Sequence, residues 1–315
     1  MTSLQRVAVL ADVSGSEQAG QAWADFDLRR VRSDDELEDE LERLLSADPS
    51  VVVVDGDDRF LSRILTAYLG EVRHRSRPLR LLALSDERLT TVAEATSGNL
   101  DRKAARRYLS TLDAERWHTS SLPTLRITSS AEPAARYGFS FGVGWWYSAF
   151  EAYYRSGRAD GAWVGKAAMR FARDSLADHR WAVEEPGRLT IDGLPHTRSW
   201  AHLMATTLSK SWFGLEGAGR GEPALWLGER SGELVRQLMS SRAAALLSDW
   251  SWSAVDFDRV HLDGLPGYVL DGELHTARHP QVIQVCRGPR VYFMQPETRW
   301  IGRVGNLLSR SSHRD

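Results

Sequence analysis

Val51-Val52-Val53-Val54-Asp55-Gly56-Asp57-Asp58-Arg59 is the stretch on which the fold turns. Four β-branched residues in a row fit a strand buried on both faces, since a strand with one wet face would alternate apolar and polar positions. Asp-Gly-Asp-Asp cannot continue such a strand, so the chain turns there. In open parallel sheets ligands collect at the carboxyl ends of the strands. The turn is therefore the first place to look for chemistry, and its acids either hold a metal, meet a phosphate, or do neither.

Working outward, strands and helices alternate through the first third of the chain. Residues 6–11 read as a short apolar strand, Ser14-Gly15-Ser16 as a turn, and residues 26–31 as a half-buried strand. Ser33 and Glu36 have the spacing of a capping box. The helix they open places Leu37, Leu41, Leu44 and Leu45 on one face. Phe60, Leu61, Ile64, Leu65 and Leu69 mark a second amphipathic helix, residues 79–84 a further strand, and residues 101–112 another helix. This order predicts an α/β domain whose parallel sheet is covered by helices on both faces.

The remainder has a different rhythm. Strand patterns fall at 125–128, 137–143, 189–192, 199–208, 224–227, 258–262, 267–270, 281–286 and 290–294, with one helix expected at 161–176. Asp192-Gly193, Asp263-Gly264 and Asp271-Gly272 are hairpin-turn dipeptides. The pattern predicts a mainly antiparallel, β-sandwich-like domain with a helical insertion. Ten of the twelve tryptophans lie between Trp117 and Trp252, and this shift sets the expected boundaries: 1–118, 119–296, and an amphipathic tail at 297–315. The tryptophans either fill a β-rich core or line a pocket for a long apolar ligand. The tail carries Trp300, Val304, Leu307 and Leu308 beside Arg299, Arg303 and Arg310, a pattern that docks on its own protein or makes peripheral membrane contact.

Composition narrows the function classes. The 315 residues suffice for two domains and carry a formal charge of −2, which gives no case for nucleic acid. Cys286 is the only cysteine, so no intramolecular disulfide forms; with no signal-peptide pattern and no long apolar run, the expected location is cytoplasmic. His275 and His279 are four apart, but Pro280 and a strand context speak against a helical metal pair. The glycine-rich segment 214–221 follows no strand-to-helix transition and reads as a loop, and Arg73, His74, Arg75, Arg77 and Arg80 as a basic cluster on a solvated loop.

The order of these features resembles the catalytic domain of the diacylglycerol kinase and sphingosine kinase family, which shares its fold more distantly with NAD kinases. The resemblance rests on residues 51–59, on Gly138-Phe-Ser-Phe-Gly142-Val-Gly144, and on Tyr268-Val-Leu-Asp271-Gly272-Glu273 followed by residues 282–294. It implies ATP and Mg²⁺ bound between two domains, and phosphate transfer to a hydroxyl on a lipid or other apolar small molecule. Carried over by position, Ser14, Gly15, Gly56, Asp57 and Arg59 fall on the nucleotide side, with Asp57 as the phosphate-side or metal acid. Asp271 and Glu273 fall at the acceptor side, with Glu273 as candidate base.

The departures from the family carry equal weight. Where the family has Gly-Gly-Asp-Gly-Thr, this chain has Asp55-Gly56-Asp57-Asp58-Arg59. Each added carboxylate about 4 Å from a phosphate would oppose binding by roughly 4 kcal/mol at an effective dielectric near 20, before screening. Asn-Pro-x-Ser-Gly has become Ala11-Asp12-Val13-Ser14-Gly15; the Gly-Thr-x-Asn loop has no counterpart in residues 84–90; and Asp-Gly-x-Leu aligns with Ser231-Gly232-Glu233-Leu234. Two functions therefore stand side by side: a lipid-kinase-like enzyme, and a non-catalytic binding or regulatory protein on the same fold.

Overall fold

The computed structural model describes residues 7–13, 23–71, 78–84, 90–98, 100–110, 117–155, 187–197, 200, 202–209, 212, 222–228 and 253–296. The helix expected at 161–176, the glycine-rich segment, most of the arginine cluster, residues 231–234 and the tail from 297 lie outside them, as do Ser14 and Gly15.

β1 (Val7–Asp12), β2 (Asp27–Val31), β3 (Val51–Asp55) and β4 (Arg80–Ala83) form a parallel sheet in the order β2-β1-β3-β4. Every residue of β3 is buried, and its alternation divides the valines between two layers. Val52 and Val54 pack with Leu41 and Leu44 of α1 (Asp34–Ser46) and with Ile64 and Leu65 of α2 (Asp58–Glu71). The short α3 (Thr91–Ser97) adds Val92 and Ala93 to this layer. Val51 and Val53 face the other way, onto Trp23 and onto Ala105, Tyr108 and Leu109 of α4 (Arg102–Ser110). Helices thus cover both faces, as the β-branched run predicts, and each buried valine contributes about 1.5 kcal/mol or more. The Ser33 half of the capping box forms as well: Ser33 Oγ accepts from the Glu36 N–H at 3.3 Å. Glu36 in turn accepts from the Arg32 N–H at 2.7 Å, one residue before the cap.

The second half is built on long antiparallel strands. β5 (Trp117–Ser129) pairs with β6 (Glu132–Gly138), and β7 (Ser140–Gly144) leads into α5 (Trp145–Arg155). β8 (Arg188–Ile191), β9 (Leu194–Pro195), β10 (His202–Thr206), β11 (Ala224–Gly228) and β12 (Ser253–Asp256) precede the ribbon of β13 (Arg259–Leu270) and β14 (Glu273–Pro296). Among the described residues all strands join one sheet with the central path β12-β11-β10-β7-β13-β14-β4-β3-β1-β2, while β5 with β6, and β8 with β9, branch from β14 and β13. β14 makes the join: its start pairs antiparallel with β13, its length with β5, and Tyr292 and Phe293 pair parallel with Arg80 and Leu81 of β4.

Several expected boundaries shift. Segments 281–286 and 290–294 belong to one strand, irregular between Arg287 and Arg290. Segments 258–262 and 267–270 likewise merge into β13. Asp263-Gly264 is not a hairpin: only Gly264 adopts positive φ (86°), and the register shift between Leu262 and Leu265 makes it a bulge within the strand. The other two dipeptides are hairpin turns with both central residues at positive φ, Asp192 at 50° with Gly193 at 82°, and Asp271 at 46° with Gly272 at 86°.

The tryptophans whose side chains are described, Trp23, Trp145, Trp146, Trp200, Trp212 and Trp226, are buried in the core. Trp145, Trp146 and Phe150 of α5 pack with Trp212, Met204 and Val269. Trp146 and Phe150 lie 5.7 and 5.1 Å from Trp212, centroid to centroid. Gly142 lies beneath them, where a Cβ would stand 2.7 Å from Trp212 Cζ3 and 2.8 Å from Trp146 Cβ.

Candidate functional site

The turn after β3 distributes its three acids in three directions. Asp55 keeps the facing of Val53 and is 1% exposed. It accepts from Trp23 Nε1 at 2.8 Å and from Arg102 Nε at 2.9 Å on the α4 side. The expectation that it stands beside a phosphate is therefore corrected: the strand's alternation turns it away, and an indole and a guanidinium neutralise it. Asp58 accepts from the Val92 N–H at 3.1 Å, at the amino end of α3. Burial, and then the charge of Asp271, raise its carboxyl well above the usual range, with the Val92 bond opposing.

Asp57 caps α2. Its Oδ1 accepts from the Phe60 N–H at 3.0 Å, and its carbonyl accepts from the Leu61 N–H at 3.1 Å. Its Oδ2 receives Arg59, Nε at 2.8 Å and Nη2 at 2.5 Å. Arg59 then continues: Nη1 donates to Tyr154 Oη at 3.2 Å, and Tyr154 donates to the Gly272 carbonyl at 2.6 Å. Burial opposes the Arg59 charge, but Asp57 and Tyr154 outweigh it and raise the guanidinium. Burial also brings the Tyr154 phenol up to about 12. An unbroken chain thus runs from the β3 turn to the Asp271-Gly272 hairpin. Gly56 is held by close approach rather than by turn geometry, since a Cβ there would meet Phe60 Cδ1 at 2.5 Å.

At the hairpin, Asp271 is 1% exposed, and it staples the turn to the start of β7 by accepting from the Phe139 N–H at 2.9 Å and the Ser140 N–H at 2.7 Å. Burial lifts its carboxyl to about 7; these hydrogen bonds oppose the shift, and the charge of Glu273 adds to it. A methyl group at Gly138 would overlap Asp271 Oδ2, so this glycine makes room for the carboxylate. Glu273 leaves the turn half-buried, and its charge acts on Arg136.

The structure therefore brings Asp57, Arg59, Asp271 and Glu273 to one region, with Gly56 beneath the turn. The sequence reading missed Tyr154, because α5 follows directly on a strand and its aromatic residues suit a strand as well as a helix. It also missed Arg136, whose alternating strand context gives no sign of a role.

A divalent metal at Asp57 does not fit this arrangement. One carboxylate oxygen is taken by the guanidinium and the other by a helix N–H, and Asp55, Asp58 and Asp271 are committed to donors of their own. Among the described residues no three acids, histidines or cysteines converge as a metal-binding group.

Comparison with solved structures places the fold. The chain is similar over 93% of its length to a protein from Bacillus anthracis str. Sterne assigned as a diacylglycerol kinase, covering 96% of that chain with a TM-score of 0.57 at 11% identity. A second structure so assigned from the same organism gives 0.57 at 12% identity, covering 92% of this chain and 96% of that one. A third, described as a diacylglycerol kinase, gives 0.51 at 10% identity, with 93% and 97% covered. No protein-family profile and no curated protein matches the sequence. The protein has the diacylglycerol-kinase-like fold that its motif order resembles. Among the described residues no helix is long and apolar enough to cross a membrane.

Proposed function

We propose that this is a binding protein for a lipid or similar apolar small molecule, built on the lipid-kinase fold and without metal-dependent phosphate transfer from ATP. One observation carries the reading. The acid that would serve the nucleotide is held by three hydrogen bonds, two from Arg59 and one from the α2 amino end, and Arg59 ties that turn through Tyr154 to the hairpin across the site. The guanidinium supplies the positive charge that a metal would bring, but fixed to the protein. A lipid is the ligand class suggested by the similarity to diacylglycerol kinases.

Calorimetric titration with ATP, with and without Mg²⁺ or Mn²⁺, tests the loss of transfer, with Asp57→Ala as control. The expected outcome is no metal-dependent heat at millimolar ATP. Metal-dependent binding that Asp57→Ala abolishes, followed by phosphate transfer to extracted lipids that Glu273→Gln abolishes, would establish the kinase instead. The ligand is tested by saturable binding of a short-chain diacylglycerol, with a fatty-acid-free wash as the reference.

A further inference from the structure

Beside Glu273 lies a second group of polar side chains that the nucleotide-site reading does not use. Glu273 and His275 are two apart on β14, so their side chains share a face. Tyr268 is opposite His275 in the β13–β14 ladder, and the two rings stack at 4.6 Å with 17° between planes. From β6, Glu132 Oε1 reaches His275 Nδ1 at 3.5 Å, and its other oxygen pairs with Arg136 Nε. His275 is 6% exposed, and its Nε2 is buried without a hydrogen-bond partner.

These contacts fix the imidazole's orientation. Burial works against the Glu132 charge, but His275 and Arg136 outweigh it and bring the carboxyl down to about 2, so Glu132 only accepts. Nδ1 then carries the proton that faces the carboxylate, and Nε2 is left for a further hydrogen bond, as acceptor in the neutral ring or as donor in the imidazolium. An enclosed polar atom without a partner is costly and calls for a hydrogen-bonding group. The carboxylates of Glu132 and Glu273 disfavour an anion in this place, so the fitting partner is a neutral hydroxyl, which can donate or accept.

We infer that Glu132 and His275 form a hydroxyl-binding subsite in which His275 Nε2 hydrogen-bonds the hydroxyl of a neutral ligand entering beside Glu273. The subsite deepens the lipid-binding reading above by assigning the ligand's polar head a partner, and rests on that reading only for the apolar remainder of the ligand.

The test is nitrogen NMR on histidine-labelled protein. The free protein is expected to show a proton on His275 Nδ1, and Glu132→Gln to weaken its hold there. Two probes are then added: 1,2-dioctanoylglycerol, with its acetylated and hydroxyl-free form as control, and glycerol alone. Both hydroxylated probes are expected to move the Nε2 resonance, and the acetylated form to leave it in place. His275→Phe, which keeps the ring stack, is expected to weaken dioctanoylglycerol on the order of tenfold, the worth of one such bond. If dioctanoylglycerol fails to bind while glycerol still moves Nε2, the lipid reading falls and the subsite stands. If dioctanoylglycerol binds without moving Nε2, or the acetylated form moves it equally, or neither hydroxylated probe moves it, the subsite is overturned.

Discussion

Asp271 is the residue at which the physical chemistry is sharpest. Its carboxyl rises to about 7 because burial outweighs two main-chain hydrogen bonds. A folded-state pKa above the unfolded value near 3.9 means that the group's contribution is fully present below about pH 4 and is lost as pH rises through 7. Urea unfolding between pH 4 and pH 8 should therefore show stability falling by up to about 4 kcal/mol from this group, at roughly 1.4 kcal/mol per pH unit. Asp58 shifts in the same direction. Asp271→Asn should flatten the slope in part, leaving the share of Asp58, and an unchanged slope would contradict the assignment. Arg59 offers a second residue-scale test. Arg59→Ala leaves Asp57 buried and is expected to cost about 2–3 kcal/mol; Tyr154→Phe should cost about 1 kcal/mol. Because both belong to one chain of hydrogen bonds, the double variant should cost measurably less than the sum, and strict additivity would mean that the chain carries no coupling.

At the scale of elements, the glycines of β6 and β7 set the strongest constraint. Gly138→Ala pushes on Asp271 and Gly142→Ala on the tryptophan layer, and each is expected to destabilise by about 1–3 kcal/mol in thermal unfolding. Gly70, whose Cβ would meet nothing within 4 Å, is the contrast: Gly70→Ala in α2 should be neutral or stabilising. The same elements mark how far the sequence was legible. β3 and α1 could be read because their signals are local, a β-branched run and the Ser33 cap. The Asp271-Gly272 turn could be read because both residues accept positive φ. Asp263-Gly264 misled because the dipeptide is the same and only the continuation of β14 opposite decides between hairpin and bulge. α5 was missed because its aromatic residues suit a strand as well as a helix and it follows directly on β7, and α3 because seven residues are too few to show a period. At the site, the positions of Asp57 and Asp271 were legible from motif order. The direction of Asp55 and the occupancy of Asp57 were not, since each depends on a partner distant in sequence, Arg102 for one and the Tyr154 bridge for the other.

For the whole molecule, two kinds of stitch connect the halves. β14 pairs with β4, and α2 meets β6 through Ser62 Oγ donating to the Tyr137 carbonyl at 2.9 Å and Thr66 Oγ1 accepting from the Tyr137 N–H at 3.1 Å. Phe293 and Phe139 enter the same core as Val52 and Val54. Calorimetry is expected to show one unfolding transition, with the calorimetric and van't Hoff enthalpies agreeing; two separated transitions would mean that these contacts do not couple the halves. The β14–β4 pairing also orders events in time. Leu81 leaves the ribosome more than two hundred residues before its partner Phe293. At synthesis rates of about 5–20 residues per second, the β4 edge waits on the order of ten seconds or more with its main-chain groups unpaired. A newborn chain of this kind is vulnerable to strand-to-strand aggregation throughout that interval, and its yield in a cell should depend on what shields that edge until the last strand arrives.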